Sequence, residues 1–270
     1  MAVKIILDPG STHDGSIDKA KELIRIGAGS GADAIKWQLL GENETKAGNT
    51  LLPWAWLPEL MDLGKSLGVE VFASVFNRAG AEWLYKCGCA SIKFAYSQRL
   101  NLGWACDHKT VRSGLDFKRI YVSCDVMHKP DMVMPDTQGN PIVFDVTGAS
   151  QFIHLYCVPE YPVPYIVDFE GLFPRFQGFS SHCLGVEQEI RAVRAGAKYL
   201  EFHYQGSWSS PCPDARFAKP PKLTEQLVRE IRRMDQAPAV SGSTYFSDIP
   251  FKSAPAVPFS PDGLGIDHNE

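Results

Sequence analysis

The stretch at residues 176–205, FQGFSSHCLGVEQEIRAVRAGAKYLEFHYQ, decides the fold of this chain because its pattern predicts a strand, a helix and a second strand. It opens with a short apolar run, and Val186, Ile190 and Val193 then recur at the spacing of one helix face. Residues 199–202 form a second extended run. Two strands joined by one helix form a right-handed parallel unit, so both strands end at the same edge of a sheet.

Two histidines follow these two strand ends. His182 and His203 are therefore expected to lie side by side at one rim of a parallel sheet, the rim at which α/β folds bind their ligands. Neutral imidazole is the commonest metal ligand in proteins. The pair predicts either a divalent metal site or two structural histidines, and the residues alone leave both interpretations open.

The rest of the chain repeats the alternation of strand and helix. The additional strands are predicted at residues 3–7, 34–37, 70–74, 90–94, 119–124 and 152–157. The pattern also predicts a short helix at residues 168–173 and a last helix at residues 224–234, capped by Thr224. Eight strands in one domain favour a closed (β/α)8 TIM barrel, with a doubly wound open sheet as the alternative.

Two segments depart from a regular barrel. Residues 131–146 alternate apolar and polar side chains around a Gln-Gly-Asn-Pro turn, which predicts a hairpin insertion after strand five. Residues 237–270 are rich in Pro, Ser and Gly and have little periodicity. We therefore expect a catalytic barrel over residues 1–236 and an extended tail over residues 237–270.

The composition of the 270-residue chain limits its partners. A net charge of -4 without a basic patch argues against nucleic acid and anionic membranes, so small-molecule substrates are expected. The sequence has neither a signal-peptide pattern nor a long apolar run, which predicts a cytoplasmic protein. Its seven cysteines are scattered and odd in number, so we expect no disulfide framework.

Lys36 and Lys93 each interrupt an apolar strand near the rim at which the two histidines are expected. Burying an unpaired ammonium group is costly, so each lysine needs an anion. That anion is either a neighbouring carboxylate in a structural ion pair or a bound phosphate or carboxylate. A strand-end lysine with a lowered pKa can also form a Schiff base, so a barrel aldolase remains an alternative.

Five short motifs together carry a resemblance to a known family. They are Gly31-Ala-Asp-Ala-Ile-Lys36-Trp-Gln38, Ile92-Lys93-Phe94, Tyr161-Pro-Val-Pro-Tyr165, Phe179-Ser-Ser-His182 and Glu201-Phe-His203. Their order and spacing, from about residue 4 to residue 214, resemble the sialic acid synthase (N-acetylneuraminate synthase) family. The resemblance implies a (β/α)8 barrel that condenses phosphoenolpyruvate with an N-acetylated aldose such as N-acetylmannosamine.

The resemblance also implies roles for individual residues. The divalent metal is expected to be Mn²⁺, with Mg²⁺ and Co²⁺ as alternatives, and to be bound by His182 and His203. Phosphoenolpyruvate would be bound by Lys36, Ser74, Lys93 and Ser180. The sugar and the reacting groups would be approached by Asp8, Gln38, Gln98, Tyr161 and Asp214.

The chain departs from the family pattern at several of these positions. Asp8 and Gln98 stand where glutamates are usual, and Ser181 replaces the aspartate that usually precedes the first metal histidine. The sequence is also expected to lack the C-terminal antifreeze-like domain of the family, so a homodimer stays an open alternative. These departures fit an enzyme with another acceptor sugar, and they also fit a ligand-binding relative without turnover.

Overall fold

A computed structural model describes residues 2–41, 50–99, 115, 117–126, 134–135, 141–142, 151–173 and 175–236. Most of this part of the chain alternates between strands and helices. The strands are β1 (Lys4–Asp8), β2 (Ala34–Leu39), β3 (Glu70–Val75), β4 (Ser91–Phe94), β5 (Arg119–Cys124), β6 (Met134–Pro135), β7 (Pro141–Ile142), β8 (Gln151–Cys157), β9 (Gly178–Ser181) and β10 (Tyr199–His203).

Eight of these strands close into a parallel barrel with the order β1-β10-β9-β8-β5-β4-β3-β2. The barrel closes between β1 and β10, where Lys4 pairs with Tyr199 and Asp8 pairs with His203. The predicted TIM barrel is thereby confirmed and the open sheet excluded. The two remaining strands, β6 and β7, form a separate antiparallel pair, as the predicted hairpin insertion requires.

The helices are α1 (Ile17–Ser30), α2 (Leu57–Ser66), α3 (Arg78–Lys86), α4 (Glu187–Arg194) and α5 (Pro221–Gln236). The hydroxyl of Ser16 accepts a hydrogen bond from the Lys19 amide, so Ser16 caps the start of α1. Most helices bury an apolar face, as α5 does with Leu227, Val228 and Ile231, whereas α4 buries Gln188 and Glu189 beside Ala192. None of the helices in the described ranges is both long and apolar enough to cross a membrane.

One helix prediction was wrong, and a second had the right helix with the wrong start. Residues 168–173 form a turn because the Asp168 carboxylate accepts a hydrogen bond from the Glu170 amide and Gly171 has a left-handed φ of 68°. The last helix begins at Pro221, before the predicted cap Thr224, because the fixed φ of proline suits the first turn. The Thr224 hydroxyl instead donates back to carbonyl groups of the preceding turn.

A carboxylate clamp holds the amino-terminal end of the barrel together. Asp33 accepts hydrogen bonds from the Ile5 amide and from the Arg232 guanidinium, each at 2.7 Å, and its other oxygen lies 3.3 Å from the Lys4 ammonium. Partial burial would raise the pKa of Asp33, but the bonds from Arg232 and Ile5 lower it below its ordinary value. The clamp therefore stabilises the fold only while Asp33 is ionised.

We expect Asp33→Asn to lower the free energy of unfolding by about 1–2 kcal/mol at neutral pH, because the charge-assisted hydrogen bonds are lost. The folded-state pKa is depressed, so this contribution is complete above the unfolded pKa of about 3.9 and is lost as the pH falls through the folded value. Urea unfolding across this pH range measures the difference. Asp62→Asn, on the exposed side of α2, is the control, and an equal effect of the two changes would contradict the clamp.

Candidate active site

A cavity of about 460 Å³ lies at the carboxyl end of the barrel strands. Its wall combines the last residues of the strands with the loops that follow them. The polar and aromatic residues of the wall include Asp8, Lys36, Gln38, Ser74, Lys93, Tyr96, Ser97, Ser123, Tyr161, Ser180, His182, Glu201, His203, Asp214, Arg216 and Phe217.

The two-residue repeat of a β-strand explains why these side chains face the cavity. Successive residues of a strand point to opposite faces, so residues two apart face the same way. Lys36 and Gln38 on β2 both line the cavity, and Glu201 and His203 on β10 do the same. On each of these two strands, one residue and the residue two positions later therefore both face the cavity.

Gln98 is the one predicted site residue that is not among the described residues of the cavity wall. It ends a short 3-10 helix, Tyr96–Gln98, which turns the chain after β4. Tyr96 and Ser97 line the cavity in its place. The geometry therefore gives no support to a catalytic role for Gln98.

A buried carboxylate, Glu201, lies between the two predicted lysines. The Lys93 ammonium lies 2.7 and 2.8 Å from its two carboxylate oxygens. The Lys36 ammonium lies 3.2 Å from Glu201 Oε1 and 2.6 Å from Asp8 Oδ2. All four side chains are buried, so the lysines have the carboxylate partners that one of the two interpretations requires.

The charges of this cluster control the protonation of its members. Burial would raise the pKa of Glu201, but Lys36 and Lys93 outweigh it and hold that pKa below its ordinary range. Burial would lower the pKa of Lys36, but Asp8 and Glu201 raise it. For Lys93, burial lowers the pKa even against the charge of Glu201. When all four groups are ionised, their charges sum to zero.

The two predicted histidines do meet at this rim. The ring centroids of His182 and His203 are 5.3 Å apart, and both rings pack edge-on against Phe217. His203 Nε2 lies 3.4 Å from Asp8 Oδ2, while its Nδ1 is buried and lacks a hydrogen-bond partner in the described part of the chain. A carboxylate on one ring nitrogen and a free second nitrogen is the pattern of a metal-binding histidine.

The surroundings of His182 allow the same role. Burial lowers its pKa, and so does the neighbouring His203, which favours the neutral ring that binds metals. The Tyr161 ring lies on it, with centroids 4.0 Å apart. The described ranges contain no group of three or more His, Cys, Asp or Glu residues arranged to hold an ion. The two imidazoles could therefore supply two ligands to a divalent ion, and the described residues would leave its other positions to water or a bound molecule.

A close backbone contact positions a further carboxylate. Asp214, on a short 3-10 helix (Pro213–Arg216), has one buried oxygen, Oδ2, without a hydrogen-bond partner among the described residues. This oxygen lies against Gly10, where an added Cβ atom would be only 2.1 Å away and where φ is 51°. Glycine at position 10 therefore allows Asp214 to reach the cavity.

Several residues of the cavity wall carried no predicted role: Ser123, Glu201, Arg216 and Phe217. For Glu201 a signal was available, because it lies two residues before His203 on the same strand and so faces the same side. Arg216 and Phe217 follow a proline-containing turn, where strand periodicity gives no information. Arg216 is exposed at the cavity, and no counter-ion is found for it in the described structure.

Comparison with known proteins agrees with this geometry. The family model of the NeuB family matches residues 44–241 of the chain. The chain belongs to the NeuB family. This confirms the resemblance to sialic acid synthases that the five motifs indicated.

Two relatives of this chain are named as synthases of sugar acids. The N,N'-diacetyllegionaminic acid synthase of Legionella pneumophila is 26% identical over 86% of this chain and 72% of its own length. The N-acetylneuraminate-9-phosphate synthase of Mus musculus is 26% identical over 86% of this chain and 70% of its own.

A solved structure shares the fold of this NeuB-family chain. It is the N-acetylneuraminic acid synthetase of Leptospira borgpetersenii in complex with citrate, with a TM-score of 0.68 and 23% identity. The match covers 87% of this chain and 85% of the other. At this identity the likeness supports the barrel architecture alone.

We expect Glu201→Gln to lower the free energy of unfolding by about 3 kcal/mol, because two buried ammonium groups would keep only the Asp8 carboxylate. Added inorganic phosphate should stabilise this variant more than the wild-type chain, since the anion can replace the lost charge. Urea unfolding with and without phosphate measures both effects. Glu82→Gln, which removes an exposed ion pair with Arg78, should cost at most about 0.5 kcal/mol, and similar losses in both variants would contradict the account.

Gly10→Ala should displace Asp214 and lower the free energy of unfolding by about 2–4 kcal/mol, because a close contact adds to the cost of a left-handed residue. Gly68 is a matched control: its φ is 75°, but an added Cβ would meet nothing within 4 Å. Gly68→Ala should cost only about 1–2 kcal/mol. Equal losses in chemical unfolding of the two variants would show that the contact with Asp214 has no role.

Proposed function

We propose that this chain is a transferase that condenses phosphoenolpyruvate with an N-acetylmannosamine-like aldose to give a sialic-acid-like 2-keto sugar acid and phosphate. The observation that carries the proposal is the convergence of Lys36, Lys93, His182 and His203 on one cavity. Membership of the NeuB family and the synthases among its relatives support the reaction class. That the acceptor is an aldose like N-acetylmannosamine is likewise proposed.

Phosphoenolpyruvate would bind at the lysine end of the cavity. Each ammonium group has three N–H donors, and Lys36 uses two of them on Asp8 and Glu201. A donor therefore remains for an oxygen of the substrate. Because the carboxylates already neutralise the lysines, a triply charged ligand needs more positive charge, which Arg216 and a bound divalent ion would supply.

His182 and His203 would hold the divalent ion, for which Mn²⁺ is proposed and Mg²⁺ or Co²⁺ are alternatives. Such an ion acts as a Lewis acid that polarises the aldehyde of the open-chain sugar. Asp8 would fix the orientation of the His203 ring, which it contacts at 3.4 Å. Tyr161, packed on His182 and half-exposed to the cavity, would cover this end of the site and contact the sugar.

In the proposed reaction the methylene carbon of phosphoenolpyruvate forms a bond with the aldehyde carbon, whose oxygen takes up a proton. Water adds to the carbon that bears the phosphate ester, and one of its protons balances the one taken up by the aldehyde oxygen. The bond from that carbon to the ester oxygen then breaks, and the remaining hydroxyl proton passes to the released phosphate as the ketone forms. Asp214 would accept the proton of this water at Oδ2, the oxygen without another partner among the described residues. Gln38 would orient the sugar by hydrogen bonds from the neighbouring wall.

A Schiff-base aldolase is the second candidate, because burial lowers the pKa of Lys93 and so favours a nucleophilic amine. The two hydrogen bonds from Lys93 to Glu201 oppose it, since they hold the nitrogen as an ammonium group. Borohydride trapping with a keto acid separates the two chemistries, because the synthase reaction forms no imine.

We expect the chain to release phosphate from phosphoenolpyruvate when Mn²⁺ and a suitable aldose are present, and not when the aldose is omitted. His203→Ala and Lys93→Met should each lower the rate by about 100-fold or more, since each removes a group that binds developing charge. Lys118→Met, at the opposite end of the barrel, is the control and should keep the wild-type rate. Phosphate and product are measured over a panel of aldoses that includes N-acetylmannosamine.

Failure of every aldose to trigger phosphate release would contradict the synthase assignment. If phosphoenolpyruvate and Mn²⁺ still bind, that result would favour the ligand-binding relative instead.

A further inference from the structure

A second buried ion pair lies outside the cavity wall. The Lys219 ammonium is 2.6 Å from Glu189 Oε1, and the two side chains are only 2% and 0% exposed. Glu189 is on α4 and Lys219 lies just before α5. Neither is among the described residues that line the cavity, so this pair does not contact the proposed substrates.

The hydrogen bonds of this pair end on both chain neighbours of His182. The Ser181 hydroxyl donates to Glu189 Oε1 at 2.7 Å, and the Lys219 ammonium donates to the Cys183 carbonyl at 3.0 Å. The segment that carries His182 is thus held on both sides by one ion pair.

The same lysine also reaches the second histidine. The Lys219 amide donates to the carbonyl of His203 at 2.9 Å. Lys219 therefore bonds to the backbone at His203 through its amide and to the backbone beside His182 through its side chain. A single residue thus links the two backbone segments that carry the rings.

Stability alone does not explain the charges. An apolar pair of similar volume is often as stable as a buried ion pair, because two ions must be taken out of water. Here the compensation is also incomplete, since Glu189 Oε2 is buried without a partner in the part of the chain that the structure describes. The pair adds little stability, but its hydrogen bonds fix the backbone beside both histidines. A positioning role therefore explains the two charges better than stability does.

We propose that Lys219, Glu189 and Ser181 are positioning residues that set the separation of His182 and His203 for a divalent metal ion. The inference rests on the proposed function, because that function assigns the ion to these two histidines. The inference adds to the proposed function a set of residues outside the cavity wall, which would contact neither the ion nor the substrates.

The test is the affinity of the full chain for Mn²⁺ alone, measured by calorimetry and by the electron paramagnetic resonance signal of free Mn²⁺. The double variant Glu189→Gln/Lys219→Met removes both charges and leaves neither ion unpaired, so it should fold with an unchanged unfolding midpoint. Its Mn²⁺ affinity should fall about 10-fold to 100-fold, as for other changes behind metal ligands.

The control is Glu70→Gln/Arg119→Met, which changes a partly exposed ion pair in the same way. It removes an ion pair with a 2.7 Å contact at the amino-terminal end of the barrel, away from the histidines. This variant should bind Mn²⁺ as the wild-type chain does.

Wild-type affinity in the Glu189→Gln/Lys219→Met variant would overturn the positioning role and leave the proposed function intact. Equal losses in both double variants, or a lower unfolding midpoint in the test variant, would show general destabilisation and would also overturn it. A wild-type chain that binds no Mn²⁺ would overturn the metal assignment and this inference together.

Discussion

The carboxylate of Glu201, placed between the ammonium groups of Lys36 and Lys93, is the interaction on which the carboxyl end of the barrel depends. It joins β10 to β2 and β4 across the lumen, and Lys36 extends the link to Asp8 on β1. An isolated ion would be too costly to bury there, so each member requires the others. The cluster keeps charged groups at a fixed position inside a protein core, where they can meet an anionic substrate.

Much of the barrel could be predicted from local pattern. Short apolar runs predicted the eight strands, and the histidines after two of them were expected at one rim. The two-residue period of a strand would also have placed Glu201 beside His203, although no role was predicted for it. The errors arose where a local signal was overridden. An Asx turn at Asp168 replaced a short helix, and Pro221 began α5 before the expected cap.

The partners of the site residues could not be predicted in the same way, because they are distant in sequence. Nothing in the neighbourhood of Lys93 specifies Glu201, which lies 108 residues later. The approach of Gly10 to Asp214, and the bonds from Lys219 to the strands of both histidines, likewise appear only when the barrel closes. Family resemblance supplied roles for single residues, whereas closure of the barrel supplied the network that connects them.

The most direct measurement is a crystal structure of the chain with Mn²⁺ and phosphoenolpyruvate, with anomalous scattering used to locate the ion. Manganese is expected to be bound by His182 and His203, and an anionic group of the ligand should lie within hydrogen-bond reach of Lys36 and Lys93. Manganese bound elsewhere, or phosphoenolpyruvate bound away from this end of the barrel, would contradict this expectation.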